Sequence, residues 1–184
     1  MYKSLFLEAL ERTTRLGLDA PTATLTEQSC ISPEKLQAMP LLIQKEFGTL
    51  THQEVHARCL DLHFRLKPLL EEILDTELFY TIGWISIKHE TMFHQNEESL
   101  NQLLKDGHQG GTVNIHAWLT TPSMEILDFT LPTSYAIAND TKDGLGGAII
   151  SPADDLTGGM DYKPMLVGEE FIFKAGLAGI VFDQ

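Results

Sequence analysis

The chain has 184 residues, 43% of them apolar and 21% charged, enough for a single domain (1–184) with a core of its own. Its 26 acidic against 13 basic side chains give a formal charge of −13, a surface that repels phosphate backbones and argues against a nucleic-acid partner. There is no apolar run long enough for a membrane span, and the two cysteines, Cys30 and Cys59, form neither a disulfide framework nor a CxxC pair, so a cytoplasmic address is expected.

Three parts follow one another: a helical 1–50, a core over 51–135 that carries the candidate site, and a loop-rich 136–184. Residues 2–17 put Tyr2, Leu5, Phe6, Ala9, Leu10 and Thr13 on one helical stripe, which reads as an amphipathic helix and not as a secretion signal. Residues 18–31 read as loop. Ser32-Pro33 supplies a cap and a first-turn proline for a short helix, with Pro40 and Gly48 punctuating a further one over LLIQKEF. Thr51 and Glu54 fit a capping box, so the spacing predicts a helix from His52 to Leu74, with Leu62, Leu66, Leu69, Leu70 and Ile73 inward and a kink or a restart at Pro68.

From Leu78 the chain turns β-branched and aromatic. LFYTIGWISI reads as a strand buried on both faces, and 97–106 as a polar helix. TVNIHAWLT and EILDFTLP read as two strands around a turn at Pro122 and Ser123. GAII is a short strand and VGEEFIFKAG a late helix, while DGLGG and TGGMD match no nucleotide-binding glycine motif. The order of elements predicts an α+β fold, a mostly antiparallel sheet packed beside a long central helix.

The hairpin carries the firmest chemistry. Alternation puts Asn114, His116, Trp118 and Thr120 on one face, and Ile126, Asp128 and Thr130 share a face on the second strand. A three-residue loop Thr121–Ser123 pairs Thr120 with Met124 and sets His116 directly opposite Asp128, at a Cβ separation of about 4.5–5.5 Å. An aspartate accepting from one imidazole nitrogen fixes the tautomer and leaves the other free to handle a proton.

RCLDLHFRLKPLLEEIL, LFYTIGWISI, IHAWLT and EILDFT together resemble the transglutaminase-like and papain-like cysteine hydrolase superfamily over roughly residues 55–132. There a cysteine on a helix is followed by a strand, then by a histidine and an Asp or Asn on successive strands. The resemblance implies a papain/transglutaminase-like fold and Cys59 as nucleophile, His116 as general base and acid, and Asp128 as orienter. It implies a peptide or amide substrate, proteins included, and no cofactor. The family holds its cysteine at the start of the helix, where amide dipoles assist it. The capping box at Thr51 starts the expected helix two turns earlier, so that placement requires Thr51–Arg58 to be a separate turn.

Two other readings stand beside this one. His52, His56, Cys59 and His63 recur at spacings of four, three and four, a stripe from which an i, i+4 pair could bind zinc with His116 or Asp128. A non-catalytic domain would use the loop from Asn139 to Pro164 as a contact surface for a protein partner. Cys30, in a loop with no base-bearing element near it, is the weaker nucleophile, and His89, His94 and His108 read as solvated loop histidines.

Overall fold

A computed structural model describes residues 1–88 and 90–178; His89 lies outside them. Helix α1, Tyr2–Arg15, buries the expected stripe through Tyr2, Phe6, Ala9 and Thr13. Helix α2, Pro33–Phe47, starts where Ser32 Oγ accepts from the Lys35 amide at 3.3 Å, and it runs unbroken through Pro40. The expected break there is absent because Pro40 and Leu36, whose carbonyl loses its helical donor, both lie on the exposed side.

The helix expected over His52–Leu74 is two helices. The Thr51 capping box caps only α3, His52–Val55, and α4 spans Cys59–Leu74. The first helix ends at His56, whose backbone is extended at ψ 126°, and left-handed Ala57, φ +55°, completes the turn that redirects the chain, its amide donating to Ser134 Oγ at 3.1 Å. Along α4, Leu62, Leu66, Leu70 and Leu74 are buried at four-residue spacing, while Leu69 and Ile73 are only half-buried. Pro68 is exposed and does not end the helix.

Every strand pairing is antiparallel. Strand β1, Phe79–Ile87, lies at the centre, as its continuous apolar run predicts. One side of it takes β2, Glu90–Met92, at Ile85–Ile87, and β3, His116–Thr120, at Phe79–Gly83. Helix α5, Glu97–Asp106, links those two strands. Beyond β3 come β4, Glu125–Asp128, and β5, Ile149–Pro152. Helix α6, Leu131–Ala138, begins where sequence reading extended the EILDFTLP strand, and Pro132 suits its first turn.

The other side of β1 takes β6, Met160–Val167, and α7, Glu170–Lys174, follows. β6 begins inside the expected Asn139–Pro164 loop and runs through Pro164. The strand survives because it is at an edge and Pro164 sits at a slip in register opposite Gly83. A Cβ on Gly83 would lie 2.1 Å from the Lys163 carbonyl oxygen and 2.8 Å from the Trp118 ring, so only glycine fits.

The sheet has a core on each face. Leu62, Leu66 and Leu70 of α4 and Met39 of α2 pack with Tyr80, Ile82, Ala117, Leu119 and Leu127. Tyr2, Phe6 and Ala9 of α1 pack with Phe79, Ile85, Trp118, Ile126, Tyr162 and Val167. The architecture is α+β with an antiparallel sheet. No helix among the described residues is long and apolar enough to cross a membrane.

Candidate active site

Cys59 is the first residue of α4 and is buried. The break after α3 puts it there and not in the interior of one long helix. The amides of the first turn have no carbonyl partners within the helix, so the helix start that carries Cys59 is electropositive. The backbone here is held from two sides. The Tyr80 hydroxyl donates to the Leu60 carbonyl at 2.8 Å, and His63 Nδ1 donates to the Cys59 carbonyl at 2.9 Å. The Cys59 thiol donates to the carbonyl of Ile115 at 3.7 Å, one residue before His116.

His116 opens β3 and Asp128 closes β4. Their pairing differs from the expected register. Thr120 lies opposite Ile126 and Leu119 opposite Leu127, because the loop is Pro122–Met124, with Met124 left-handed at φ +65°. Moving the three-residue loop by one position slides the pairing by two, which keeps both side chains on one face but makes them diagonal neighbours. The imidazole spans the longer gap: its Nε2 donates to Asp128 Oδ2 at 2.5 Å.

Asp128 is fully buried and fully satisfied. Oδ2 also accepts from the Tyr162 hydroxyl at 2.8 Å. Oδ1 accepts from the Thr130 amide and hydroxyl at 2.9 and 3.0 Å and from the Leu131 amide at 3.0 Å. Burial opposes its charge, yet His116 and these donors hold its pKa well below the ordinary carboxylate range. Burial likewise opposes charge on His116, but the Asp128 carboxylate beside it, and then the Cys59 sulfur, raise its pKa to about 10. His63 behaves oppositely. Its burial outweighs the attraction of Asp128, whose Oδ1 is 3.5 Å from Nε2, and lowers its pKa to about 4.

Aromatic rings enclose the imidazole. Phe93 stacks on His116 at 5.0 Å between ring centres, Trp118 at 6.0 Å, and Tyr162 is tilted at 6.4 Å. Phe93 holds a left-handed backbone, φ +62°, so the segment that carries it turns sharply over the ring.

The metal-binding stripe does not exist as one helical face. His52 lies on α3, His56 caps its end, and Cys59 and His63 belong to α4. Both nitrogens of His63 are engaged within the protein, since Nε2 accepts the Phe129 amide at 2.9 Å. Among the described residues no group of three or more His, Cys, Asp or Glu is arranged to hold a metal ion. Cys30 lies apart from the histidines, its amide donating to Ser123 and Glu125. His94 packs edge-on against Trp84 at 5.0 Å. The Asn139–Pro164 loop in fact contains β5 and the start of β6. A concavity of about 330 Å³ lies between α2, α4 and β5, lined by Met39, Leu62, Leu66, Phe129 and Ile150. Cys59, His116 and Asp128 do not line it, so it is not where their chemistry would occur.

Sequence reasoning missed Tyr162, Phe93 and the true contacts of His63. Thr130, two residues after Asp128, is the one partner with a local signal, because Asp-x-Thr favours a side-chain-capped turn. Together these elements define an α+β protein with a buried cysteine at a helix start adjoining a buried histidine–aspartate pair. Set against models of protein families, curated proteins and solved structures, the chain matches none.

Proposed function

We propose that this chain is a thiol-dependent acyl-transfer enzyme with a transglutaminase-like or papain-like arrangement, acting on an amide or ester carbonyl of a peptide or similar substrate. One observation carries the reading. Asp128 takes Nε2 of His116 and leaves Nδ1 as the imidazole's working nitrogen, beside a cysteine that begins a helix.

In this mechanism His116 rests as imidazolium, given its raised pKa, and Cys59 reacts as thiolate. Sulfur bonds to the carbonyl carbon, and the C=O π pair moves onto oxygen, where the first-turn amides of α4 stabilise it. The pair returns as the C–N or C–O bond breaks, and His116 gives its proton to the departing amine or alcohol. A water or acceptor amine then attacks the thioester, losing its proton to His116, and the thiolate leaves. Asp128 stays ionised throughout and holds the ring.

Cys59 and His116 are 8% and 2% exposed and Phe93 covers the ring, which favours a second reading, a non-catalytic domain that keeps this arrangement for packing. Iodoacetamide labelling separates the two. For an enzyme, Cys59 alkylates at pH 6–7 faster than Cys30 by on the order of 10²-fold, and His116→Ala removes the excess. A p-nitrophenyl ester leaves an acyl group on Cys59 that turns over. If Cys59 labels no faster than an ordinary thiol and forms no acyl adduct, the enzyme reading is overturned.

A further inference from the structure

We propose that His63 is a positioning residue of this site. Its ring, bonded at one nitrogen to the Cys59 carbonyl and at the other to the Phe129 amide, sets the separation between the thiol on α4 and the His116–Asp128 pair on the sheet. The proposal rests on the thiol reading above and adds to it a group that does not touch substrate.

The geometry leaves little freedom. His63 is wholly buried. Nδ1 carries the hydrogen, because its partner is a carbonyl; Nε2 carries none, because its partner is an N–H. The ring is therefore neutral and of one tautomer. Cys59 is four residues before His63, so the Nδ1 bond clamps the first turn of α4 from within the helix. Phe129 follows Asp128 directly, so the Nε2 bond fixes the end of β4. A single rigid ring thus spans helix start and strand end, beside the Tyr80–Leu60 and Cys59–Ile115 hydrogen bonds that tie the same turn to β1 and to the residue before β3.

The charged and titratable groups facing the ring are Asp128 and His116; Cys59 meets it through its backbone carbonyl. Protonation would place a second hydrogen on Nε2, against the Phe129 N–H and 3.5 Å from Asp128 Oδ1. The bridge to β4 would then break and the carboxylate would be drawn toward His63. Burial suppresses that event down to about pH 4.

Two variants test the two ends. His63→Asn keeps a donor near the position of Nδ1 but is too short for Phe129. His63→Gln reaches toward Phe129 but lacks the Nδ1 donor. In both, Cys59 alkylation per folded molecule falls by on the order of 10²-fold, because small displacements of reacting groups cost that much. The pH at which the rate falls as His116 deprotonates shifts in the same variants. A folded variant with wild-type rate and profile overturns the positioning role and leaves the thiol reading intact. Wild-type Cys59 labelling no faster than Cys30 overturns both. Should both variants unfold, nitrogen NMR of the wild-type imidazole decides: a neutral Nδ1–H tautomer of His63 at pH 5–8 supports the role, and imidazolium or the Nε2–H tautomer overturns it.

Discussion

Asp128, His116 and His63 illustrate how one buried charge sorts its neighbours. The carboxylate faces His116 through a direct hydrogen bond and faces His63 only at 3.5 Å, and the two imidazoles respond in opposite directions. His116 is pushed up to about 10 and His63 down to about 4, from the same ordinary value of 6.5. Their linkage to stability has opposite signs. As pH falls below 6.5 the unfolded chain protonates at position 63 before the folded one does, so stability drops between pH 6.5 and about 4 by about 3 kcal/mol. Asp128, held below its ordinary 3.8, extends the loss at still lower pH. His116 stabilises fully below pH 6.5, and that contribution disappears as pH rises toward about 10. Urea unfolding across this range is expected to peak near pH 6.5. A midpoint that stays level from pH 6.5 down to 4.5 would refute the account of His63, and His63→Leu should flatten the acid limb. Little of this was legible beforehand. His63 shares a stripe with His52, His56 and Cys59, and spacing alone gives no means of telling a helix-clamping histidine from a ligand.

At the scale of elements, local signals located starts better than they located ends. The Thr51 capping box and the Ser32 cap are both present as read. What separated α3 from α4 was a turn with His56 extended and Ala57 left-handed, and alanine carries no signal for that conformation. The hairpin turn shifted for the same reason, because left-handed Met124 takes a position usually held by glycine. The His116–Asp128 pairing survived since a two-residue slide preserves strand parity; a one-residue slide would have separated the two. Gly83 is where element geometry is least forgiving. It faces His116 across the β1–β3 ladder and marks the slip in the β1–β6 ladder. Gly83→Ala must displace the Lys163 carbonyl, which is backbone, and the Trp118 ring, so a loss of about 3 kcal/mol or more is expected. Because His116 lies directly opposite, the Cys59 labelling rate should fall as well. A variant with unchanged urea midpoint would show that β6 adapts freely, contrary to the close approach at this point.

For the whole molecule, the continuous apolar run of β1 anticipated a strand buried on both faces, but not how far the first and last thirds of the chain cooperate to close the second face. That face is covered by α1, whose Tyr2 amide donates to Asp154 Oδ1 at 2.8 Å after β5. The Tyr2 hydroxyl accepts from Trp118 Nε1 at 2.8 Å and pairs with Thr120 Oγ1 at 2.8 Å. Trp118 stacks in turn on His116, so the opening residues of the chain buttress the site through one indole. No sequence signal connects Tyr2 to Trp118, because the contact spans 116 positions and depends on how α1 crosses the sheet. Tyr2→Phe keeps the ring and its packing against Phe6 but leaves the Trp118 N–H buried without an acceptor. Thr120 keeps its bond to Thr81 Oγ1 at 2.9 Å, so the loss is that of one indole donor, about 1–3 kcal/mol. It should appear as a lower urea midpoint with an unchanged slope, since the folded surface is the same. Cys59 labelling should fall much less than in the His63 variants, because Trp118 supports the imidazole face and not its hydrogen bonds. Labelling lost as completely as in His116→Ala would instead make α1 part of the site itself.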